Sequence, residues 1–209
     1  MPLPKSSVDT SRTILEPPAL SGHMDWASLF GNENPVELEV GSGKGLFLAN
    51  AGTSRPGHNF FGVEIAKKYA YEAAVRLAKA KLDNAKLLAG DARQFMALHV
   101  RPQSLHAVHI YFPDPWWKAR HKKRRVFCEG FVVDTERLLM PLGHLHVATD
   151  VEEYYGVIRE LMDAHPRFTE LPRPEPNTPE HELDYLTNFE RKYRIEGRPI
   201  HRALYRFEG

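Results

Sequence analysis

The sequence has very little cysteine: Cys128 is the only one among 209 residues. A single thiol excludes an internal disulfide and a zinc site built from several cysteines, and it is typical of a reducing compartment. Long apolar runs are also missing, since no stretch approaches the roughly 18 consecutive apolar residues of a membrane-spanning helix. Residues 1–7 show no apolar segment followed by a small-residue cleavage site. We therefore expect no secretory signal and a cytoplasmic location.

A strong excess of one charge is likewise absent. The chain has 28 Lys and Arg residues against 27 Asp and Glu residues, which gives a formal net charge of +1. This balance excludes a uniformly basic protein and an acidic disordered chain, but it is compatible with a local basic patch. Hydrophobic residues make up 42% and charged residues 26% of the chain, which are ordinary values for a globular protein.

Short apolar segments alternate with amphipathic segments along most of the chain. Residues 1–22 carry four prolines and little periodicity, so we expect a flexible N-terminal arm, followed by a single domain over residues 23–209. Strands are predicted at residues 36–40, 59–64, 85–88, 105–112, 143–149 and 200–207, and helices at 23–30, 46–51, 66–82, 93–98, 126–139, 151–164 and 187–194. Repeated strand–helix units predict an α/β fold with a mostly parallel sheet and helices on both faces. Ligands of such sheets bind at the carboxyl ends of the strands.

A glycine-rich turn, EVGSGKG over residues 39–45, follows the first predicted strand. It lacks two features of a Walker A loop, and its third glycine comes one residue too early for a dinucleotide fingerprint. Gly41 and Gly43 allow the backbone to approach a ligand closely. Glu39 would repel a pyrophosphate but attract a cation, which favours the sulfonium and α-ammonium groups of S-adenosylmethionine. The alternative is that Glu39 makes a structural hydrogen bond near the turn.

Two further carboxylates follow the next strands. Glu64 ends the second predicted strand about 20 residues beyond the glycines, where a carboxylate typically accepts hydrogen bonds from ribose hydroxyls. Its alternative role is that of an acidic residue near a helix N-terminus. Asp91 follows the third strand, where it either contacts an adenine amino group or caps the next helix, and the two roles are compatible.

The fourth predicted strand runs into an acidic turn and then a basic segment. Two prolines fix the backbone around Asp114, which is typical of a preorganised site but also of an ordinary proline-bracketed turn. Six of the eight residues 118–125 are Lys or Arg. Because no acids interleave with them, the segment favours a phosphate-binding surface over a solvated helix face.

The combined motifs resemble bacterial tRNA (guanine-N7-)-methyltransferases, which are class I S-adenosylmethionine-dependent enzymes. The resemblance rests on the string FPDPW at residues 112–116, the basic segment, ATD at 148–150 and TNFER at 187–191. It implies a Rossmann-like fold with a mostly parallel seven-stranded sheet and one antiparallel strand. It also implies methyl transfer from S-adenosylmethionine to guanine N7 at position 46 in the variable loop of tRNA, by a monomer or homodimer.

The resemblance assigns roles to named residues. The cofactor would be bound by Glu39, Gly41, Gly43, Glu64, Asp91 and Asp114, with Asp114 also catalytic. The substrate would be bound by Lys118, Asp150, Thr187, Asn188, Phe189 and Glu190. The RNA backbone would be held by Arg120, His121, Lys122, Lys123, Arg124 and Arg125.

Guanine N7 carries a lone pair and no proton, so methylation requires placement and charge stabilisation rather than a general base. Other functions remain open at this point. One is a class I methyltransferase that acts on another RNA or on a small molecule, and another is a non-catalytic RNA-binding relative. A nicotinamide-dependent oxidoreductase is disfavoured by the glycine spacing.

Histidine is abundant, with 11 residues. The spacings His106-x-x-His109 and His144-x-His146 fall in predicted strands without obvious acidic or cysteine partners. We expect these histidines to be surface or edge residues, and the sequence therefore predicts no metal site.

Overall fold

The computed structural model describes residues 8–16, 22–116, 120, 124–172 and 187–209. Within these ranges strands and helices alternate, as the sequence pattern predicts. The strands are β1 (Ile14–Leu15), β2 (Val36–Val40), β3 (Asn59–Glu64), β4 (Ala85–Ala89), β5 (Leu105–Tyr111), β6 (Leu139–Thr149), β7 (Phe168–Leu171) and β8 (His201–Phe207). The helices are α1 (Trp26–Phe30), α2 (Leu46–Ser54), α3 (Lys67–Lys79), α4 (Ala92–His99), α5 (Glu129–Leu138), α6 (Glu152–Asp163) and α7 (Asn188–Ile195).

The strands form one mixed sheet in the order β1-β4-β3-β2-β5-β6-β8-β7. Neighbouring strands are parallel except around β8, which runs antiparallel to both β6 and β7. The predicted single antiparallel strand is therefore confirmed. The predicted count of seven strands is wrong for the described residues, which contain eight.

The strand order reverses between β2 and β5. From β2 the chain proceeds outward to β3 and β4, and it then returns to place β5 on the other side of β2. The two loops that leave β2 and β5 consequently diverge and open a crevice at the carboxyl edge of the sheet. Crevices at such switch points are where ligands bind in open α/β sheets.

Two apolar layers cover the two faces of the sheet. Consecutive side chains of a strand point to opposite faces, and Phe60 and Phe61 accordingly lie in different core clusters. Both rings are completely buried, and burying a side chain of this size stabilises the fold by about 1.5–3 kcal/mol. β2 and β3 are buried along their whole length, as expected of parallel strands covered on both faces.

Part of the predicted N-terminal arm is docked against the sheet. Ile14 pairs with Leu87 as a short parallel strand, and the buried Thr13 hydroxyl donates to the Ala74 carbonyl at 3.2 Å. Proline-rich composition predicts an undocked segment, but the open edge of β4 offers unpaired backbone groups that this short strand satisfies. Residues 1–7 and 17–21 of the arm lie outside the described residues.

None of the helices in the described part of the chain is long and apolar enough to cross a membrane.

Candidate cofactor and nucleic-acid site

A cavity of about 250 Å³ opens at the carboxyl edge of the sheet, beside the switch point. Its floor comes from the loop after β2 and from the end of β5, and its outer wall comes from the start of α7. The lining residues are Glu39, Gly41, Ser42, Gly43, Lys44, Leu46, Phe47, Tyr69, Tyr111, Thr187, Asn188, Phe189 and Lys192. The glycine turn at residues 39–45 and the segment at residues 187–189 thus form one site, although they are about 145 residues apart in the sequence.

The glycine turn is held tightly against α3. Gly45 begins α2 with a φ of 71°, and a Cβ at this position would lie 2.8 Å from the Ala73 Cβ. A side chain would therefore be strained by the backbone and would also collide with α3. Lys44 also lines the cavity, and its Nζ lies 3.1 Å from Glu72 Oε2 on the same helix. The positive charge of Lys44 is therefore paired with a carboxylate of this helix.

The Glu39 carboxyl is buried in the cavity floor. The residue is 3% exposed, and its Oε2 is buried without a hydrogen-bond partner. Burial raises the pKa of this carboxyl to about 8, with a smaller opposing effect from a Ser42 hydrogen bond and a further increase from the charge of Glu64. An unpaired buried carboxyl oxygen is unfavourable, so the floor is suited to a ligand that carries positive charge.

Glu64 organises the glycine turn. Gly43 donates its backbone N–H to Glu64 Oε2 at 2.8 Å, and Ala66 donates its backbone N–H to Glu64 Oε1 at 2.8 Å. The carboxylate therefore connects the turn after β2 to the start of α3. Each oxygen retains a second lone pair, which leaves the ribose role of Glu64 chemically possible and still a prediction.

Asp91 is exposed and caps α4. Its Oδ1 accepts from the backbone N–H groups of Arg93 at 2.9 Å and Gln94 at 3.2 Å. The capping role inferred from the sequence is confirmed. Asp91 is not among the residues that line the cavity, and its contact with an adenine stays a prediction.

Asp114 lies exposed on the loop that leaves β5. The loop departs from regular backbone on both sides of it, with positive φ values of 53° at Phe112 and 42° at Trp116. Arg125 fixes the loop from outside by donating from Nε to the Pro115 carbonyl at 2.6 Å. The carboxylate is thus presented to solvent on a constrained turn at the same edge as Glu39, because β2 and β5 are parallel neighbours.

The described part of the basic segment lies beside the Asp114 loop. The Arg124 guanidinium stacks on the Trp116 ring, 5.2 Å from its centroid, and both Arg124 and Arg120 are exposed. Arg124 and Arg125 therefore lie against the acidic turn. Lys118, His121, Lys122 and Lys123 lie outside the described residues.

The N-terminal half of α7 closes the cavity. Thr187 caps the helix by accepting from the Glu190 backbone N–H at 3.0 Å, and Asn188 and Phe189 line the cavity. The Phe189 ring is 51% exposed and lies 6.1 Å from the Phe112 ring. An exposed aromatic ring next to a strained loop forms a surface on which a planar group can stack.

Glu190 and Asp150 are engaged in ion pairs. Glu190 is buried, and its Oε1 lies 2.6 Å from Arg202 and 3.0 Å from Arg194. Asp150 pairs with Arg198. Neither acid is among the residues that line the cavity, so in this structure their charges hold α7 and its following loop against β6 and β8. Their predicted contacts with substrate remain predictions.

Sequence similarity to known proteins extends over most of this chain. A family model described as "Putative methyltransferase" matches residues 33–203. The tRNA (guanine-N(7)-)-methyltransferase of Rhodopirellula baltica is 44% identical, over 97% of this chain and 77% of that protein. The protein of the same name from Geobacter metallireducens is 34% identical, over 94% of this chain and 93% of that protein.

The chain belongs to the tRNA (guanine-N(7)-)-methyltransferase family. The family resemblance deduced from the sequence motifs is thereby confirmed. Among solved structures, the 16S rRNA methyltransferase KamB superimposes with a TM-score of 0.64 and 13% identity, over 90% of this chain and 96% of that chain. This similarity concerns the fold alone, and it confirms the predicted Rossmann-like class I methyltransferase architecture.

Sequence reasoning missed three aromatic residues of the site. Phe47, Tyr69 and Tyr111 line the cavity, and the ring centroids of Phe47 and Tyr111 lie 5.2 Å apart. The only sequence feature that could have indicated Tyr111 is its position at the end of an apolar strand, because ligands of open α/β sheets bind at the carboxyl ends of the strands. Phe47 gave no signal, because a buried aromatic at the start of a helix is indistinguishable in sequence from a core residue.

The prediction that the paired histidines are surface or edge residues is wrong for His109, which is 2% exposed on the internal strand β5. The other three histidines, His106, His144 and His146, are half-buried. His109 lies between Glu37 Oε2, at 2.7 Å from its Nε2, and the Tyr111 hydroxyl, at 2.9 Å from its Nδ1. Burial raises the pKa of the Glu37 carboxyl, but the hydrogen bond and charge of His109, with the charge of Arg55, outweigh burial and lower it to about 2.

Proposed function

We propose that this protein transfers a methyl group from S-adenosylmethionine to N7 of a guanine in tRNA, at position 46 of the variable loop. Membership of the family supports a tRNA guanine as the substrate. The observation that carries the cofactor assignment is the unpartnered, buried Oε2 of Glu39 in the floor of a cavity at the switch point.

The residues present fit S-adenosylmethionine. Its α-ammonium and sulfonium groups are cations, and the Glu39 carboxylate supplies the missing counter-charge in a buried site. Gly41 and Gly43 line the same cavity without side chains. Glu64, on the adjacent strand, has free lone pairs for ribose hydroxyls, and Asp91 stands at the start of α4 for the adenine. When bound, this cofactor supplies an electrophilic methyl group.

The chain's contribution to the reaction is placement of the base. Guanine N7 needs no deprotonation, so a general base is not required, and correct alignment of the reactants accounts for most of the acceleration. Asp114 accepts hydrogen bonds from the guanine N1 and N2 groups and stabilises the positive charge that develops on the ring. Asn188 and Phe189 form the opposite wall, where the exposed ring stacks on the displaced base.

The basic segment binds the RNA backbone next to this wall. Arg120 and Arg124 are exposed, and Arg124 stacks on Trp116 of the Asp114 loop. Phosphate contacts there offset the few kcal/mol that extrusion of a stacked base costs. Lys118, Asp150 and Thr187 complete the proposed substrate contacts. Glu190 contributes by holding α7 in place through its two arginine partners.

A methyl-transfer assay tests the reaction and the role of Asp114. Labelled methyl is supplied to tRNA that lacks the modification, and the product is mapped by chain scission specific for 7-methylguanosine. At saturating substrates, Asp114→Asn should lower turnover by about 10²–10³-fold, whereas the surface variant Asp83→Asn should match wild type. Label on another atom, or no label, contradicts the proposed function.

The RNA interface is tested by salt dependence. Arg120→Gln and Arg124→Gln should each weaken tRNA binding and reduce the log–log salt slope by about 0.7–0.9. Arg101 is an exposed arginine that precedes β5, at the opposite edge of the sheet, and Arg101→Gln should leave the slope unchanged. Equal slopes in all three variants would place the RNA elsewhere on the protein.

A further inference from the structure

A second group of potential ligand side chains lies at the amino edge of the sheet, opposite the cavity. Glu37 is the second residue of β2, His58 directly precedes β3, and His106 is the second residue of β5. These three strands are adjacent and parallel in the order β3-β2-β5. One carboxylate oxygen and one nitrogen from each imidazole lie within 4.8 Å of one another.

The contact between His58 and Glu37 is unusual for a hydrogen bond. His58 Nδ1 lies 2.8 Å from Glu37 Oε1, yet this nitrogen is buried and makes no hydrogen bond. A buried nitrogen that faces an anion without a hydrogen bond is unfavourable. A cation bound by both atoms removes that cost.

We propose that Glu37, His58 and His106 form a binding site for a divalent transition-metal ion of the zinc class. Two imidazoles and one carboxylate are a common ligand set for Zn²⁺, with a fourth position open to water. Ligand atoms around tetrahedral zinc lie about 3.3–3.6 Å apart, as follows from metal–ligand distances near 2.0–2.2 Å. Small rotations of His58 and His106, which are half-buried, bring the three atoms to that spacing.

The carboxylate is already oriented as a metal ligand requires. His109 donates from Nε2 to Glu37 Oε2 at 2.7 Å, which leaves Oε1 on the side of His58. Hydrogen bonds of this kind fix ligating groups and tune their affinity for the metal. His144 lies next to His106, with ring centroids 6.2 Å apart.

Arg55 is the competitor for this site. Its guanidinium donates to Glu37 Oε1 at 2.7 Å, so a metal ion must displace a positive charge from the same oxygen. The side chain is 40% exposed and can therefore swing into solvent. Removal of Arg55 is expected to strengthen metal binding, which distinguishes a metal site from a purely hydrogen-bonded cluster.

The inference is tested with Zn²⁺ and Co²⁺ added to untagged, EDTA-treated protein. Calorimetry should show one Zn²⁺ per chain at micromolar concentration, and Co²⁺ should give the absorption bands of a tetrahedral site, which Zn²⁺ then removes. His58→Gln and His106→Gln should each weaken binding by about tenfold or more, and Arg55→Gln should strengthen it. The exposed His23 is the matched control, and His23→Gln should bind like wild type.

Two results would overturn the site. One is the absence of tetrahedral Co²⁺ bands in wild-type protein at millimolar metal, a measurement that depends on no variant. The other is binding that survives unchanged in His58→Gln and His106→Gln. Both readouts are independent of methyl transfer, so they are unaffected if the proposed function fails.

Discussion

Protonation of Glu39 should control the pH dependence of cofactor binding. Burial raises the pKa of this carboxyl to about 8, so in the free protein at pH 7 only about a tenth of the molecules carry the charge. A cationic ligand binds the ionised form, because that form supplies the counter-charge. Binding of S-adenosylmethionine is therefore expected to release a proton from Glu39.

The size of the pH effect on S-adenosylmethionine binding follows from the pKa of Glu39. Each pH unit below 8 adds about 1.4 kcal/mol to the cost of ionising the carboxyl. The dissociation constant for S-adenosylmethionine should then rise about fivefold from pH 8, where half of the carboxyl is ionised, to pH 7, and about ninefold again to pH 6. Above the pKa the carboxyl is already ionised, and the constant should level off.

Calorimetry in buffers of different ionisation enthalpy measures the released proton directly. At pH 7 the expected value is about 0.9 proton per bound cofactor. Glu39→Gln keeps the shape of the side chain but cannot ionise. This variant should release no proton from this position, show a flat pH profile, and bind about tenfold or more weakly at pH 8.

The stability of the free protein provides an independent check. The unfolded carboxyl titrates near the ordinary value of 4.5, so between pH 4.5 and 8 the folded state holds a proton that the unfolded state has lost. The free energy of unfolding should fall as pH rises across this window, by at most about 5 kcal/mol from this group. A wild-type constant for S-adenosylmethionine that does not change from pH 6 to 8, with no proton released, would refute the reasoning.

Three substitutions test the scaffold by urea unfolding. Gly45→Ala combines a positive φ with a collision against Ala73 and should cost about 2–4 kcal/mol. Leu38→Ala empties a completely buried position in the central strand β2 and should cost about 2–5 kcal/mol. Arg202→Met removes a guanidinium that lies 2.6 Å from the buried Glu190 carboxylate and should cost about 3 kcal/mol while loosening α7.

Each of these variants has a control at a position that lacks the stated feature. A Cβ at Gly57 meets no atom within 4 Å, Leu142 is 58% exposed, and Arg12 pairs with Asp83 in solvent. Gly57→Ala, Leu142→Ala and Arg12→Gln should each change stability by less than about 0.5 kcal/mol. If a test variant is no more destabilised than its control, the physical reason given for its loss of stability is wrong.

Features that depend on local spacing were predictable from the sequence. The glycine turn, the carboxylate at the end of β3 and the cap at Asp91 each follow from residues within a few positions of a strand end. The alternation of strands and helices likewise predicted a mostly parallel sheet. In these places local propensity and the final fold agree.

Features assembled from distant segments were not predictable. β1 and β7 are short edge strands whose pairing depends on the open edges of β4 and β8, and their few residues carry no clear periodicity. The family resemblance assigns Glu190 to the substrate, and its ion pair with Arg202 could not be predicted because Arg202 lies on a different element. The cluster around Glu37 joins residues 37, 58 and 106, which meet only because β2 lies between β3 and β5.

The internal position of β8 has a consequence for biosynthesis. β7 pairs with β8 and with no other described strand, and β8 also covers the outer edge of β6. While the ribosome is still adding residues 201–207, β6 therefore presents unpaired backbone groups that a second nascent chain can occupy. Chaperones that shield strand edges should be needed most until β8 has paired with β6, and a chain that lacks β8 should aggregate rather than form a smaller folded protein.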